Sequence, residues 1–491
     1  MTSGASLQLY VSDVFKVHPC VLENYGAFDI SLVNDLPLFI DPFLLFNSSD
    51  NEYQALHVEI IKYLRFLKDM AVTRTLTDGH LRAWFMFSEV KQNWLGFSLV
   101  GNKGAGLGID FAKALSANLE TLFTDFGQEQ ITRDSHLEKL CLIKDGVGKD
   151  NISDFTANLI KRYLLSYTEQ FARQHLRVEQ CREVPVPRAY FNYQTHSWAS
   201  SRCFLPWHDD DFVILTPKDI LTKDDTWINK SDLSKEFEVI VDAVPNDALR
   251  AQINDYFLRA LPDEPNNADV REAMSRAIRK YPELIDFFIR MKEDHGDQAV
   301  SLSQQNVRDV ELLYIRQLSE FVRTLDSASS FYNTGADTYE EAKARVAFLK
   351  DVIENKGGHH LFFSHNVPIR RESDLHILFR LTWFATPSDV GREVNDGRGP
   401  VDFKISRGSF DKSLVEFKLA KNSHLRRNLQ KQAEIYQKAS DARSAIKVIL
   451  YFTEDEYWKV SRILSDLELK ENPDVILIDA RLDNKPSGSK A

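Results

Sequence analysis

Between Gly399 and Asn422 two short runs, GPVDFKIS and SLVEFKLAKN, alternate apolar with polar side chains. That period of two commits the segment to strands and fixes which side chains share a face. In the first run Val401, Phe403 and Ile405 point toward a core, which sends Asp402 and Lys404 to the opposite side. In the second, Val415, Phe417 and Leu419 share one side and leave Glu416 and Lys418 on the other. As neighbours, the two strands would display two acids and a lysine together.

Paired carboxylates suit Mg²⁺, a hard cation that takes oxygen ligands and keeps several waters. A metal so held activates water and neutralises the charge that builds on a phosphodiester, while a lysine orients the nucleophile or stabilises that charge. The residues resemble the signature of the PD-(D/E)xK nuclease superfamily, an acid at a strand end followed by (D/E)-x-K on the next strand. Here these are Asp402 and Glu416-Phe417-Lys418. The resemblance implies Asp402, Glu416 and the backbone carbonyl of Phe417 as metal ligands, and Lys418 as the positioning base or electrostatic stabiliser. It also implies Mg²⁺ as cofactor, with Mn²⁺ able to substitute.

Flanking segments extend the pattern. HLRRNLQKQAEIYQKA predicts a helix whose buried stripe runs through Leu425, Leu429, Ala433 and Tyr436, with Gln432 and Tyr436 four apart on one face. The superfamily carries a helix there with a Gln and a Tyr near the site, which implies that Gln432 and Tyr436 support the site or contact substrate. AIKVILYF reads as a strand buried on both faces, and DVILIDARL as one more. Upstream, ESDLHILFRLTWFAT predicts a helix ended by Pro387, with Leu375, Leu378 and Phe379 inward. Glu372 continues that stripe toward the N-terminus, where the superfamily places an auxiliary acid, and Glu393 in GREVNDGRG competes for the role. The expected C-terminal domain, residues 358–483, is a restriction-endonuclease-like mixed sheet flanked by helices, with a flexible tail over 484–491.

Local charge points to nucleic acid, DNA in preference to RNA. The whole chain is acidic, at net −11, yet residues 401–450 hold eleven Lys and Arg against five Asp and Glu. Lys421, Arg426, Arg427, Lys431 and Lys438 follow the second strand, where the phosphates of a bound strand could pass. With 491 residues, 43% of them hydrophobic, the chain has length and core enough for two or three domains. The opening MTSGASLQLYVSDVFKVHP lacks the basic start and apolar centre of a signal peptide, and no apolar run is long enough to span a bilayer. A soluble, cytoplasmic protein without a membrane partner is therefore expected. Cys20, Cys141, Cys181 and Cys203 have no paired spacing, which argues against a disulfide framework or a structural zinc site.

The remaining chain reads as two regions, making the fold class α/β and α+β multidomain. Residues 1–235 mix short apolar runs with helices such as ALHVEIIKYLRFLKDMAV and ISDFTANLIKRYLLSYTEQFARQHL, an α+β region. Residues 236–357 read as a helical connector through NDALRAQINDYFLRAL, DVREAMSRAIRKYPELIDFFIRM and DVELLYIRQLSEFVRTL. Gly101, Gly104, Gly106 and Gly108 match neither common phosphate-loop pattern and predict a tight turn packed on its own helix. Asp145, Asp150 and Asp154 lie close together, with Asp150 or Ser153 suited to cap the following helix. His208, Asp209, Asp210 and Asp211 predict an exposed turn, and His359, His360 and His365 lack zinc-ligand spacing.

These features predict a metal-dependent endonuclease whose architecture resembles prokaryotic restriction and anti-phage defence proteins. By that analogy residues 1–235 would meet a protein partner or a small-molecule trigger, and cutting both strands would suit a homo-oligomer. Two other classes accommodate the same residues: a nucleic-acid-binding regulator that keeps the nuclease fold without cleaving, and a nucleotide-sensing effector that uses the glycine-rich turn.

Overall fold

The computed structural model describes residues 10–32, 35–73, 75–96, 108–121, 126–142, 149–223, 225–262, 264–312, 315, 337–355, 363–364, 367–368, 376, 379, 383, 388–395, 400–407, 411–430 and 444–484. By internal contact the chain forms two compact units, Gln8–Val310 and Glu311–Ala491. Each is mixed α/β. Among the described residues no helix is long and apolar enough to cross a membrane.

In the first unit, helix α1 (Asn51–Thr73) buries Tyr53, His57, Ile60, Leu64, Leu67 and Ala71, the stripe expected of a helix with one face on a core. The stretch after residue 148 is two helices, α2 (Lys149–Leu159) and α3 (Lys161–His175), parted at Ile160. Ser153 lies inside α2, and its hydroxyl accepts the Ile40 N–H at 2.9 Å, so it ties the helix to the core instead of capping it. Two twelve-residue strands, β1 (Cys181–Asn192) and β2 (Ser197–His208), pair as an antiparallel hairpin with a register shift between Val186 and Tyr190. The acidic run that follows is a tight turn, with Asp209 and Asp210 both left-handed at φ 47° and 62°. Consecutive positive φ angles match the twist of flanking antiparallel strands.

Three helices complete what matters for the cavity described below: α4 (Lys230–Lys235), α5 (Asn267–Lys280) and α6 (Glu283–Asp294). Asn229 and Asn266 cap α4 and α5 by accepting backbone N–H groups of their first turns. Leu233, Ile240, Ile278, Leu284 and Phe288 share one core with Phe43, Leu44 and Leu142. The helical segment up to Val310 is thus packed into the first unit.

The second unit is built on a five-stranded sheet. Its elements are α7 (Thr338–Asn355), β3 (Asp389–Asn395), β4 (Pro400–Arg407), β5 (Asp411–Leu419), β6 (Ser444–Tyr451), α8 (Glu454–Asp466) and β7 (Val475–Asp479). Strand order is β7-β6-β5-β4-β3, with β3, β4 and β5 antiparallel in succession and β5, β6 and β7 parallel. Strand β3 adds to the four expected from the sequence; its Gly391 and the nearby Gly and Pro carry turn chemistry, and pairing with β4 makes it a strand. Helix α7 buries Ala342, Val346, Leu349 and Ile353 and donates Lys350 Nζ to the Leu477 carbonyl at 2.6 Å. The last part of the expected connector therefore belongs to the sheet. Helix α8, capped by Thr453, packs Val460 and Leu464 against Leu425, Leu429, Ile449 and Tyr451.

Candidate active site

The β4–β5 ladder ends at Phe403–Val415, while β5 continues to pair with β6 as far as Leu419–Leu450. Just beyond the end of the ladder, the Phe417 N–H donates to Asp402 Oδ2 at 2.6 Å. Lys418 reaches the same place: its Nζ lies 3.5 Å from Asp402 Oδ2 and 3.4 Å from Glu416 Oε1, and donates to the Phe417 carbonyl at 2.9 Å. The structure thus brings Asp402, Glu416, Lys418 and the Phe417 backbone together on the strands that the alternation places side by side. Phe403 and Phe417 bury on the other face, where Phe379 packs at ring distances of 5.0 and 4.7 Å.

Two residues join the cluster that sequence patterning did not single out. His376 is buried with its ring 5.4 Å from Phe403, and its Nε2 lies 3.4 Å from Asp402 Oδ2. Lys447 stands in register with Glu416 on β6, is 7% exposed, and donates to the Leu429 carbonyl at 2.9 Å. Each left a faint sign in the sequence. A histidine falls three and seven residues ahead of the inward Phe379 and Trp383, and a lysine interrupts the apolar run AIKVILYF.

The two acids are shifted in opposite directions. Burial pushes the Asp402 carboxyl up, but His376, Lys418 and the Phe417 N–H together outweigh it and hold the group below the usual carboxylate range. For Glu416 burial prevails: the carboxyl is raised to about 7, with Lys418 opposing, Asp402 adding and Lys447 opposing. Burial in turn lowers the Lys447 ammonium, against the pull of Glu416. Divergent acids side by side are a pattern of acid–base and metal chemistry.

A hard divalent cation fits this donor set in kind. Asp402, Glu416 and the Phe417 carbonyl are oxygen donors that already gather around one positive charge, the Lys418 ammonium. Among the described residues no three His, Cys, Asp or Glu side chains form a metal-binding group, so these two carboxylates are the acidic donors the site presents.

Other expected residues are placed differently. Lys421 lies in the turn after β5. Arg426 is exposed and paired with Asp466 at 2.7 Å, whereas Arg427 is exposed with no carboxylate partner among the described residues. Glu393 lies on β3. Glu372, Lys431, Gln432, Tyr436 and Lys438 lie outside the described residues, as do Gly101, Gly104, Gly106, Asp145 and the histidines at 359, 360 and 365.

Two family models match the chain: a domain of unknown function, DUF8370, over residues 16–229, and another domain of unknown function, DUF8371, over residues 338–454. The second match begins with α7 and contains Asp402, Glu416, Lys418 and Lys447. No curated protein and no solved structure matches the chain.

Proposed function

We propose that the second unit is a Mg²⁺-dependent phosphodiester hydrolase, an endonuclease acting on nucleic acid, with DNA preferred over RNA. The convergence of Asp402, Glu416 and Lys418 where β4 and β5 part carries this reading. Bound Mg²⁺, or Mn²⁺ in its place, would supply Lewis acidity and lower the proton affinity of water. Asp402 stays ionised to hold such a cation, and Glu416 gives up its proton near neutrality to complete the pair. Lys418, in reach of both, steadies the carboxylates and provides the positive charge that meets a developing phosphorane. His376 and Lys447 act through Asp402 and Glu416 as positioning residues. Arg427 and Lys421 lie after β5, where a phosphate backbone would run. On this reading the protein works in the cytoplasm in prokaryotic defence, as a homo-oligomer, with a partner or trigger read by residues 1–235.

The test is cleavage of supercoiled plasmid, linear duplex, single-stranded DNA and RNA with Mg²⁺, Mn²⁺ or EDTA. Metal-dependent cutting that falls by about 10²- to 10³-fold or more in Asp402→Ala and in Lys418→Ala is the expected result. Folded protein that binds these substrates equally with and without the substitutions, and cuts none, would instead favour the non-cleaving regulator.

A further inference from the structure

The first unit holds a cavity of about 530 Å³ between helices α4 and α5, within the size range of small-molecule sites. Its walls divide by chemistry. Leu142, Leu233 and Ile278 are buried apolar residues, joined by the half-buried Met274, whose flexible thioether adapts to varied shapes. Around them stand Lys230, Arg271, Arg276 and Arg279 against a single acid, Glu272, a local balance of +3 in a chain whose total is −11. Glu272 is taken by Arg276 at 2.5 Å. Among the described residues Arg271 and Arg279 have no carboxylate partner, and both are exposed at the cavity wall. They are eight residues apart on α5, so about 12 Å of helix separates them, with Met274, Ser275 and Ile278 between.

Guanidinium groups without a carboxylate partner among the described residues, set beside an apolar recess, favour a ligand that carries both properties. Arginine matches phosphate in charge and in fork geometry, and the apolar wall takes a planar or hydrocarbon body. We propose that this cavity binds a small organic phosphate of nucleotide size, its body against Leu233, Met274 and Ile278 and its phosphates toward Arg271 and Arg279. The excess of basic side chains at the wall disfavours ligands with a cationic head, since Glu272 is already paired with Arg276. The site lies in a different unit from the candidate active site, and the inference does not rest on that site's chemistry.

The experiment is calorimetric titration of the full chain, in EDTA to prevent any hydrolysis, with four probes: ATP, dodecyl phosphate, adenosine and orthophosphate. ATP or dodecyl phosphate should bind at least about tenfold tighter than adenosine and orthophosphate, and which of the two wins identifies the body. Arg271→Ala and Arg279→Ala should each weaken that binding by about tenfold, a typical value for loss of a charge-assisted hydrogen bond. Both residues are exposed, so the fold should survive, which circular dichroism checks. Arg427→Ala, in the other unit, should leave the affinity unchanged. Three outcomes would overturn the proposal: no binding of either organic phosphate at millimolar concentration, affinity untouched by the two α5 substitutions, or equal loss in Arg427→Ala. Affinity confined to oligonucleotides and growing with their length would also overturn it, by making α5 a nucleic-acid contact.

Discussion

Glu416→Gln should make the second unit more stable at alkaline pH while abolishing cleavage. Glu416 is 9% exposed, and burial raises its carboxyl from 4.5 to about 7 in spite of Lys418 and Lys447. A carboxyl raised by folding keeps its proton longer in the folded chain than in the unfolded one, so its contribution is full below about 4.5. It declines as pH rises from there and is gone above about 7. At ~1.4 kcal/mol per pH unit, that interval corresponds to about 3 kcal/mol. Glutamine has nearly the same shape and stays neutral, so it keeps the favourable state at every pH. Wild type and Glu416→Gln should then be matched near pH 4.5 and differ by about 2–3 kcal/mol at pH 8, the variant being the more stable. Metal must be absent, because a cation bound to the folded state alone would mask the difference. Hydrogen exchange of the peptide spanning β5, corrected for the intrinsic pH dependence of exchange, isolates this unit in a chain whose global unfolding need not be two-state. Parallel stability–pH curves, or a variant less stable at pH 8, would refute the argument that Glu416 is held in an uncomfortable charged state.

Lys447→Met removes one of the two cations that oppose the rise in Glu416, so the ascending limb of the pH–rate profile should move to higher pH by about one unit. An unchanged profile in kcat/KM would remove Lys447 from the site's electrostatics. Arg345→Met should cost about 3–5 kcal/mol, because Arg345 is buried beside Glu341 at 2.8 Å and its loss removes a buried cation from a carboxylate that Arg407 and Ser388 also meet. Thermal unfolding with loss of protection across α7 is the measurement, and a cost below about 1 kcal/mol would show that Arg407 alone neutralises Glu341.

Much of the second unit was legible because its strands obey simple patterns. β4 and β5 alternate, and β6 is apolar on both sides of Lys447 in the manner of a strand covered on both faces. β3 was not legible, since Gly391 and the glycines near its end carry turn chemistry, and only pairing with β4 makes it a strand. Helix α7 shows a related limit. Its stripe of Ala342, Val346, Leu349 and Ile353 reveals that one face is buried, but an amphipathic stripe does not say against what. The helices up to Val310 carry the same kind of stripe and pack with Phe43 and Leu142 instead.

The site shows the same division between pattern and partner. Asp402, Glu416 and Lys418 could be grouped from sequence because strand period and adjacency suffice to put them on one face. His376 and Lys447 could not, since each acts through a residue distant in sequence, His376 through Asp402 and Lys447 through Glu416. Their absence from the pattern matters physically, because both tune the acids, His376 widening the gap between them and Lys447 narrowing it. His376 favours the ionised Asp402, while Lys447 only partly offsets the burial of Glu416. Without His376, only Lys418 and the Phe417 N–H would oppose the burial of Asp402, and without Lys447 Glu416 would rise further. The end of the β4–β5 ladder makes the arrangement available: it leaves the Phe417 N–H directed at Asp402, so one acid is anchored by the backbone while the other is governed by burial and charge. Asp402→Asn should therefore disturb more than metal affinity. The Phe417 N–H keeps an acceptor in the amide oxygen, but Lys418 and His376 lose their negative partner, and Glu416 loses the neighbouring charge that helps keep it protonated. Glu416 should then titrate below about 7, visible as weaker pH dependence of β5 exchange above pH 6, and an unchanged dependence would mean that the two acids do not sense each other.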